Sequence, residues 1–160
     1  MLSMKKLLSS VAVIFCLSVA GNAQQLTNAT RQCWSGGIAG RHGCNYHYTL
    51  LFSNAMRNAL PDKVWIDGQM VQLEIKQSAN SAGNVKKLLT KKGVQFEIAV
   101  GTQFNDQTIY PDGIATEQKQ NAAPPIKYAG IALISYKLNG KTKYFVVKKI
   151  YNELPDVNYP

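Results

Sequence analysis

The sequence predicts an all-β protein: a single antiparallel β-sandwich-like domain of about seven strands with one or two short helices. Three observations predict it. Apolar and polar residues alternate over several stretches of strand length. Two dipeptides, Asp67-Gly68 and Asn139-Gly140, separate flanks rich in β-branched and aromatic residues, the signal of tight hairpins. Helix-compatible segments are few and short.

The chain opens with a different kind of segment. Lys5 and Lys6 precede an uncharged apolar run over residues 7–19, and Ala20, Gly21, Asn22 and Ala23 follow. A charged start, an apolar run and small residues before a cut ahead of Gln24 are the three parts of a secretory signal peptide. The run has 13 residues, short of the roughly 20 a membrane-spanning helix needs. Residues 1–23 are therefore expected to be cleaved, leaving 24–160 as a single β-rich domain in a secreted or periplasmic location. Cys16 lies inside the apolar run after Val13-Ile14-Phe15, which does not suit a lipid anchor. No later segment is apolar for long enough to span a bilayer as a helix, so an integral membrane protein is not expected.

Residues 26–34 read as a weak first strand. Residues 45–52 read as a strong one, with Tyr46, Tyr48, Leu50 and Phe52 on one side. Residues 54–60 suit a turn or two of helix between Ser53 and Pro61. Asp67-Gly68 joins strands at 63–66 and 69–77, the second alternating Val71, Leu73 and Ile75 with Gln72, Glu74 and Lys76. Residues 84–92 read as a short helix: Asn84 can cap it, Val85, Leu88 and Leu89 share a face, and Gly93 can end it. Val94, Phe96, Ile98 and Val100 alternate on the next strand. Residues 105–125 lack periodicity and contain Pro111, Pro124 and Pro125, the marks of a long loop. Around Asn139-Gly140, a two-residue turn pairs Ile134 with Phe145, Leu133 with Val146 and Ala132 with Val147. Both faces of that hairpin are apolar near its centre, which places it in the middle of the structure. The tail after Asn152 is expected to be extended.

Composition narrows function. The 160-residue chain has 18 Lys+Arg against 9 Asp+Glu, a net charge of +9, and it stays basic once Lys5 and Lys6 leave with the signal. Such a balance favours an anionic polymer, an anionic surface or an acidic protein as partner. With Cys16 also gone, Cys33 and Cys44 remain, and in an oxidising compartment they are expected to form one disulfide. Closing a loop of about a dozen residues contributes on the order of 3 kcal/mol in the chain-entropy model.

The segment between those cysteines holds Gly36, Gly37, Gly40 and Gly43 with Arg41 and His42. Glycine-rich turns can aim successive N–H groups at an anion, and Arg41 would add charge; a stapled turn with no ligand needs the same glycines. Cys33, His42, Cys44 and His47 would supply a Cys₂His₂ zinc set, but the spacing between the cysteines is too wide for familiar zinc modules. A thiol protease would need a histidine far downstream of Gln32-Cys33-Trp34, and none follows His47. No G-x-S-x-G, G-x-G-x-x-G or Walker pattern occurs, and no cofactor is implied. Carboxylate pairs of the glycosidase type are undecidable from sequence. Asp106 and Asp112 lack the dense spacing of a calcium loop.

Two groups remain as candidate contacts. Lys86, Lys87, Lys91 and Lys92 are expected on the solvent side of the helix at 84–92, making a local positive field. A solvated polar face would look the same. Trp65 falls on the polar side of its strand opposite Met70; exposed, the pair would mark a contact surface, whereas a second layer would hide it. Tyr110, Tyr128 and Tyr159, in or beside loops, could stack on sugars. The class these features favour is a non-enzymatic, exported binding or structural module contacting an anionic surface. The rival is a small secreted hydrolase using carboxylates or the Cys33–His47 segment.

Overall fold

The computed structural model describes residues 23–36, 41–75, 83–105 and 122–160. Residues 1–22 of the expected signal peptide, Gly37, and the part of the expected long loop that holds Asp106, Tyr110 and Asp112 lie outside the described residues. In chain order the strands are β1 (Gln24–Gly36), β2 (Arg41–Ser53), β3 (Leu60–Ile66), β4 (Gln69–Gln72), β5 (Gly83–Thr90), β6 (Gly93–Asn105), β7 (Ala132–Leu138), β8 (Lys141–Val147) and β9 (Asn152–Tyr159). A single 3-10 turn, Asn54–Met56, follows β2.

The protein is all-β, with two sheets. One has the order β5-β6-β2-β1-β9, the other β4-β3-β7-β8. Nine strands replace the expected seven or so, for two reasons. The segment read as a helix over 84–92 is β5, paired antiparallel to β6 from Gly83↔Val100 to Thr90↔Gly93. The extended tail is β9, which runs parallel to β1, a departure from a wholly antiparallel layout. The helix reading failed because Val85, Leu88 and Leu89 fit helical spacing by accident. In the structure Val85 alone of the three is buried, opposite Ile98 on β6.

Turn chemistry sets the register. Asp67 and Gly68 take φ of 49° and 74°, and Asn139 and Gly140 take 50° and 76°, the positive angles a primed two-residue turn requires. The β7–β8 hairpin then pairs Ala132↔Val147, Leu133↔Val146 and Ile134↔Phe145, as expected. Its position differs from expectation: β7 is interior, but β8 is an edge strand. The β5–β6 turn has no such signature. Lys91 and Lys92 form it, and Gly93 carries the unusual angle at φ 147°. A Cβ there would lie 1.9 Å from the Phe52 carbonyl oxygen, so the position admits only glycine.

The core lies between the sheets. Tyr46, Tyr48, Leu50 and Phe52 of β2 and Val94, Phe96, Ile98 and Val100 of β6 all face it. They meet Val64 and Ile66 of β3, and Ala132, Ile134 and Tyr136 of β7. The Phe52 ring lies 5.0 Å from that of Tyr136, which fixes the level of one sheet against the other. Burying a large apolar side chain contributes about 1.5–3 kcal/mol, so this two-layer stripe dominates the stability.

Chain segments close both sides of the sandwich. After β4 the chain leaves one sheet for the other: Leu73 N–H donates to Asp62 O (2.8 Å), then Glu74 N–H donates to Gly83 O (3.2 Å) and Glu74 O accepts from Val85 N–H (3.1 Å), Gly83 and Val85 both being residues of β5. Of the strand expected over 69–77, residues 69–72 thus lie in one sheet, Glu74 bridges to the other, Ile75 is exposed, and residues 76–77 lie outside the described residues. On the other side, residues 148–151 cross from β8 to β9, with Tyr151 N–H donating to Ala29 O (2.8 Å). Residues 122–130 lie over the outer face of the four-stranded sheet. Trp65 Nε1–H donates to Ala122 O at 3.0 Å, and Tyr128 O–H to Trp65 O at 3.4 Å. Trp65 is only 7% exposed. The exposed Trp65–Met70 contact surface is therefore excluded, because a second layer covers the indole. The same cover explains why the β7–β8 hairpin is apolar on both faces without being central.

Candidate functional site

One end of the sandwich collects cations from turns far apart in sequence. At this end β2 stops at Ser53 opposite Gly93, and the Lys91-Lys92 turn stands beside it. The 3-10 turn follows, pinned inward by buried Met56 and Ala59 and closed by Ala59 N–H donating to Met56 O (2.8 Å). That anchoring turns Ala55, Arg57 and Asn58 outward. Asn54 Nδ2 reaches Lys91 O at 3.5 Å, tying the two turns together. On the other sheet, Leu60 pairs with Lys137 and Leu138 with Lys141, so the Asn139-Gly140 turn lies at the same end.

Charge there is one-sided. Lys91, Lys92, Arg57, Lys141 and Lys143 are exposed. Among the described residues none of the five pairs with a carboxylate, and Asp62 is already held by Lys137 at 3.5 Å. Lys86 differs, lying 3.8 Å from Glu97. Lys87 stands over the Phe96 ring, 6.0 Å from its centroid. Of the four lysines singled out in the sequence, Lys91 and Lys92 occupy the basic end itself. Lys86 and Lys87 lie on β5 and point to opposite faces of it, because strand residues alternate. They do not form the single helical face expected of them.

The opposite end is polar, balanced and partly buried. Tyr46 O–H donates a very short hydrogen bond to the Asp67 carboxylate. Arg31, the cross-strand partner of Tyr46, bonds Glu153 on β9 at 2.6 Å. Burial pushes the Tyr46 phenol well above its usual range, and the bond to Asp67 and its charge push it further. Tyr48 is raised too, chiefly by burial. Both phenols are thus held neutral, and neither is poised as a base. Sequence reading placed Tyr46 and Tyr48 in the core but missed this cluster. The available signal was two hydroxyls on an otherwise apolar stripe, which need polar partners when buried.

The described residues of the Cys33–Cys44 segment, 33–36 and 41–44, are strand. Cys33 and Cys44 face each other across β1 and β2 and are joined by a disulfide. Gly36 belongs to β1, and a Cβ on it would overlap Tyr159 O at 1.9 Å, so it admits the close approach of β9. Arg41 and His42 belong to β2, paired with Asn105 and Phe104, and the His42 ring stacks on Phe104 at 5.5 Å. Of the residues expected to form an anion nest, Gly36, Arg41 and His42 thus lie within paired strands, and Gly37 lies outside the described residues. The zinc set Cys33, His42, Cys44 and His47 is not assembled. Its sulfurs are bonded to each other, and His42 and His47, an odd number of residues apart, point to opposite faces of β2. The same bond removes Cys33 as a nucleophile. Among the described residues no helix is long and apolar enough to cross a membrane. No protein-family model matches the chain, and neither a curated protein nor a solved structure matches it.

Proposed function

We propose that this protein is an exported binding module that meets an anionic surface through the basic end of its sandwich. The observation that carries the reading is the placing of Arg57, Lys91, Lys92, Lys141 and Lys143 at one end, in or beside three separate turns, with Asp62, two residues into β3, already engaged by Lys137. Like charges placed together repel, so such an arrangement costs stability unless a partner neutralises it. The disulfide agrees with a location outside the cytoplasm. Support for a non-enzymatic role comes from four of the six described carboxylates: Asp62, Glu97 and Glu153 are ion-paired, and Asp67 accepts from Tyr46.

The test compares two charge reversals of equal size on immobilised dextran sulfate, read as the salt concentration needed for elution. Lys91→Glu/Lys92→Glu alters the basic end. Lys148→Glu/Lys149→Glu alters the exposed crossover before β9. Each lysine near an anionic surface contributes about 1 kcal/mol, so the first pair should weaken binding by at least about tenfold and the second far less. Equal losses would mean that net charge alone governs retention and that the basic end is not a site.

A further inference from the structure

The basic end also exposes apolar side chains. Leu89 on β5 is 73% exposed, more than any other large hydrophobic among the described residues, and Leu60 at the start of β3 is 41% exposed. Leu89 lies two residues before Lys91 and two after Lys87, so in a strand Lys87 and Leu89 share a face that runs into the turn. Leu60 stands three residues after Arg57 and pairs with Lys137. Two bare leucines are thus set among cations at the tip of one end. A water-soluble polyanion would use the lysines and leave Leu89 in water. An anionic bilayer uses both, because headgroups take the cations while apolar side chains enter the boundary with the acyl chains.

Resting on the basic-end reading, we infer that the anionic surface is a lipid bilayer, with Lys91, Lys92 and Arg57 on its headgroups and Leu89 inserted beneath them. Leu89 sits opposite Val94, which is fully buried, yet its own side chain has no cover. Among the described residues, the segment that closes this side of the sandwich meets β5 near its start, at Glu74↔Asn84, and Leu89 lies at the other end of the strand. The turn itself is held by Thr90 Oγ1–H donating to Gly93 O (3.1 Å) and by the Asn54 contact to Lys91. The leucine is therefore presented on a braced turn, and little ordering is left to be done on binding.

The experiment uses the full secreted chain in co-sedimentation with vesicles of phosphatidylglycerol and phosphatidylcholine, with pure phosphatidylcholine vesicles and immobilised dextran sulfate in parallel. The wild type should bind the anionic vesicles and not the zwitterionic ones. Leu89→Ser should weaken vesicle binding about tenfold, the order expected for withdrawing one leucine from an apolar phase, with dextran sulfate retention unchanged. Lys91→Glu/Lys92→Glu should lose both. Retention on dextran sulfate without vesicle binding overturns the bilayer inference and leaves the basic-end reading standing. So does vesicle binding that Leu89→Ser does not weaken. Failure of the wild type on both supports overturns the two together. Leu89 is exposed and its serine variant keeps the buried core intact, so far-UV circular dichroism should match the wild type.

Discussion

Tyr48 carries a hydroxyl into the interior, where it is 1% exposed and has no hydrogen-bond partner among the described residues. A buried polar group left unpaired costs about 1–3 kcal/mol. Tyr48→Phe removes the group and keeps the ring, so it should stabilise the protein by about 1 kcal/mol in urea unfolding. Tyr46 should behave in the opposite sense, because its hydroxyl bonds a carboxylate: Tyr46→Phe should cost about 1.5–3 kcal/mol. The two also set an alkaline limit. Both phenols are raised above 10 in the folded state, by burial first. In the unfolded chain they ionise near the ordinary value, about 10. Below that pH both states hold the protons and the contribution is complete. As pH rises past about 10 the unfolded chain binds fewer protons, so stability falls, by about 1.4 kcal/mol per unit per tyrosine. Urea midpoints at about pH 9 and 11 should show that fall in the wild type and a smaller one in the double phenylalanine variant. A fall of equal size in both would show that these phenols are not its source.

At the scale of elements, legibility followed the strength of local chemistry. The Asn139-Gly140 and Asp67-Gly68 hairpins were readable to the residue pair, because positive φ restricts what can occupy a two-residue turn. The stripe of Tyr46, Tyr48, Leu50 and Phe52 was readable because alternation is strict where one face is buried. Segment 84–92 was not. Lys91-Lys92 is no turn signal, and the burial that would have revealed a strand is confined to Val85 at its start. Tertiary pairing with β6 decided the conformation there. The parallel addition of β9 was equally hidden, since its strand is held by contacts more than a hundred residues apart, such as Ser35 to Asn158 at 2.6 Å and Gln32 to Pro155 O at 3.2 Å. The disulfide was legible from cysteine arithmetic alone. It staples the end of β1 to the start of β2. Cys33→Ser/Cys44→Ser should cost about 3 kcal/mol in urea unfolding. A loss well under 1 kcal/mol would mean that strand pairing already restrains this hairpin in the unfolded chain.

For the whole molecule, the candidate site was half legible. Lys91 and Lys92 were visible as a cluster, but their neighbours Arg57, Lys141 and Lys143 belong to other turns, and only topology brings them to one end. The resulting polarity is coarse: Glu153 with its partner Arg31, and Asp67 bonded by Tyr46, sit toward the opposite end. Opposed charges stabilise a fold slightly, whereas gathered like charges destabilise it. The basic end should therefore carry a measurable cost in the free protein. Lys91→Glu/Lys92→Glu, the variant expected to weaken binding, should raise the stability of the unbound protein by a few tenths of a kcal/mol at low ionic strength. The gain should vanish at about 1 M salt, where screening acts over roughly 3 Å. Lys86→Glu should do the reverse, because it breaks the pair with Glu97 and sets two carboxylates side by side. Thermal unfolding of the two variants at low and high salt checks both signs. If reversing Lys91 and Lys92 destabilises the protein at every salt concentration, those lysines serve the fold, and the physical case for a partner at this end is lost.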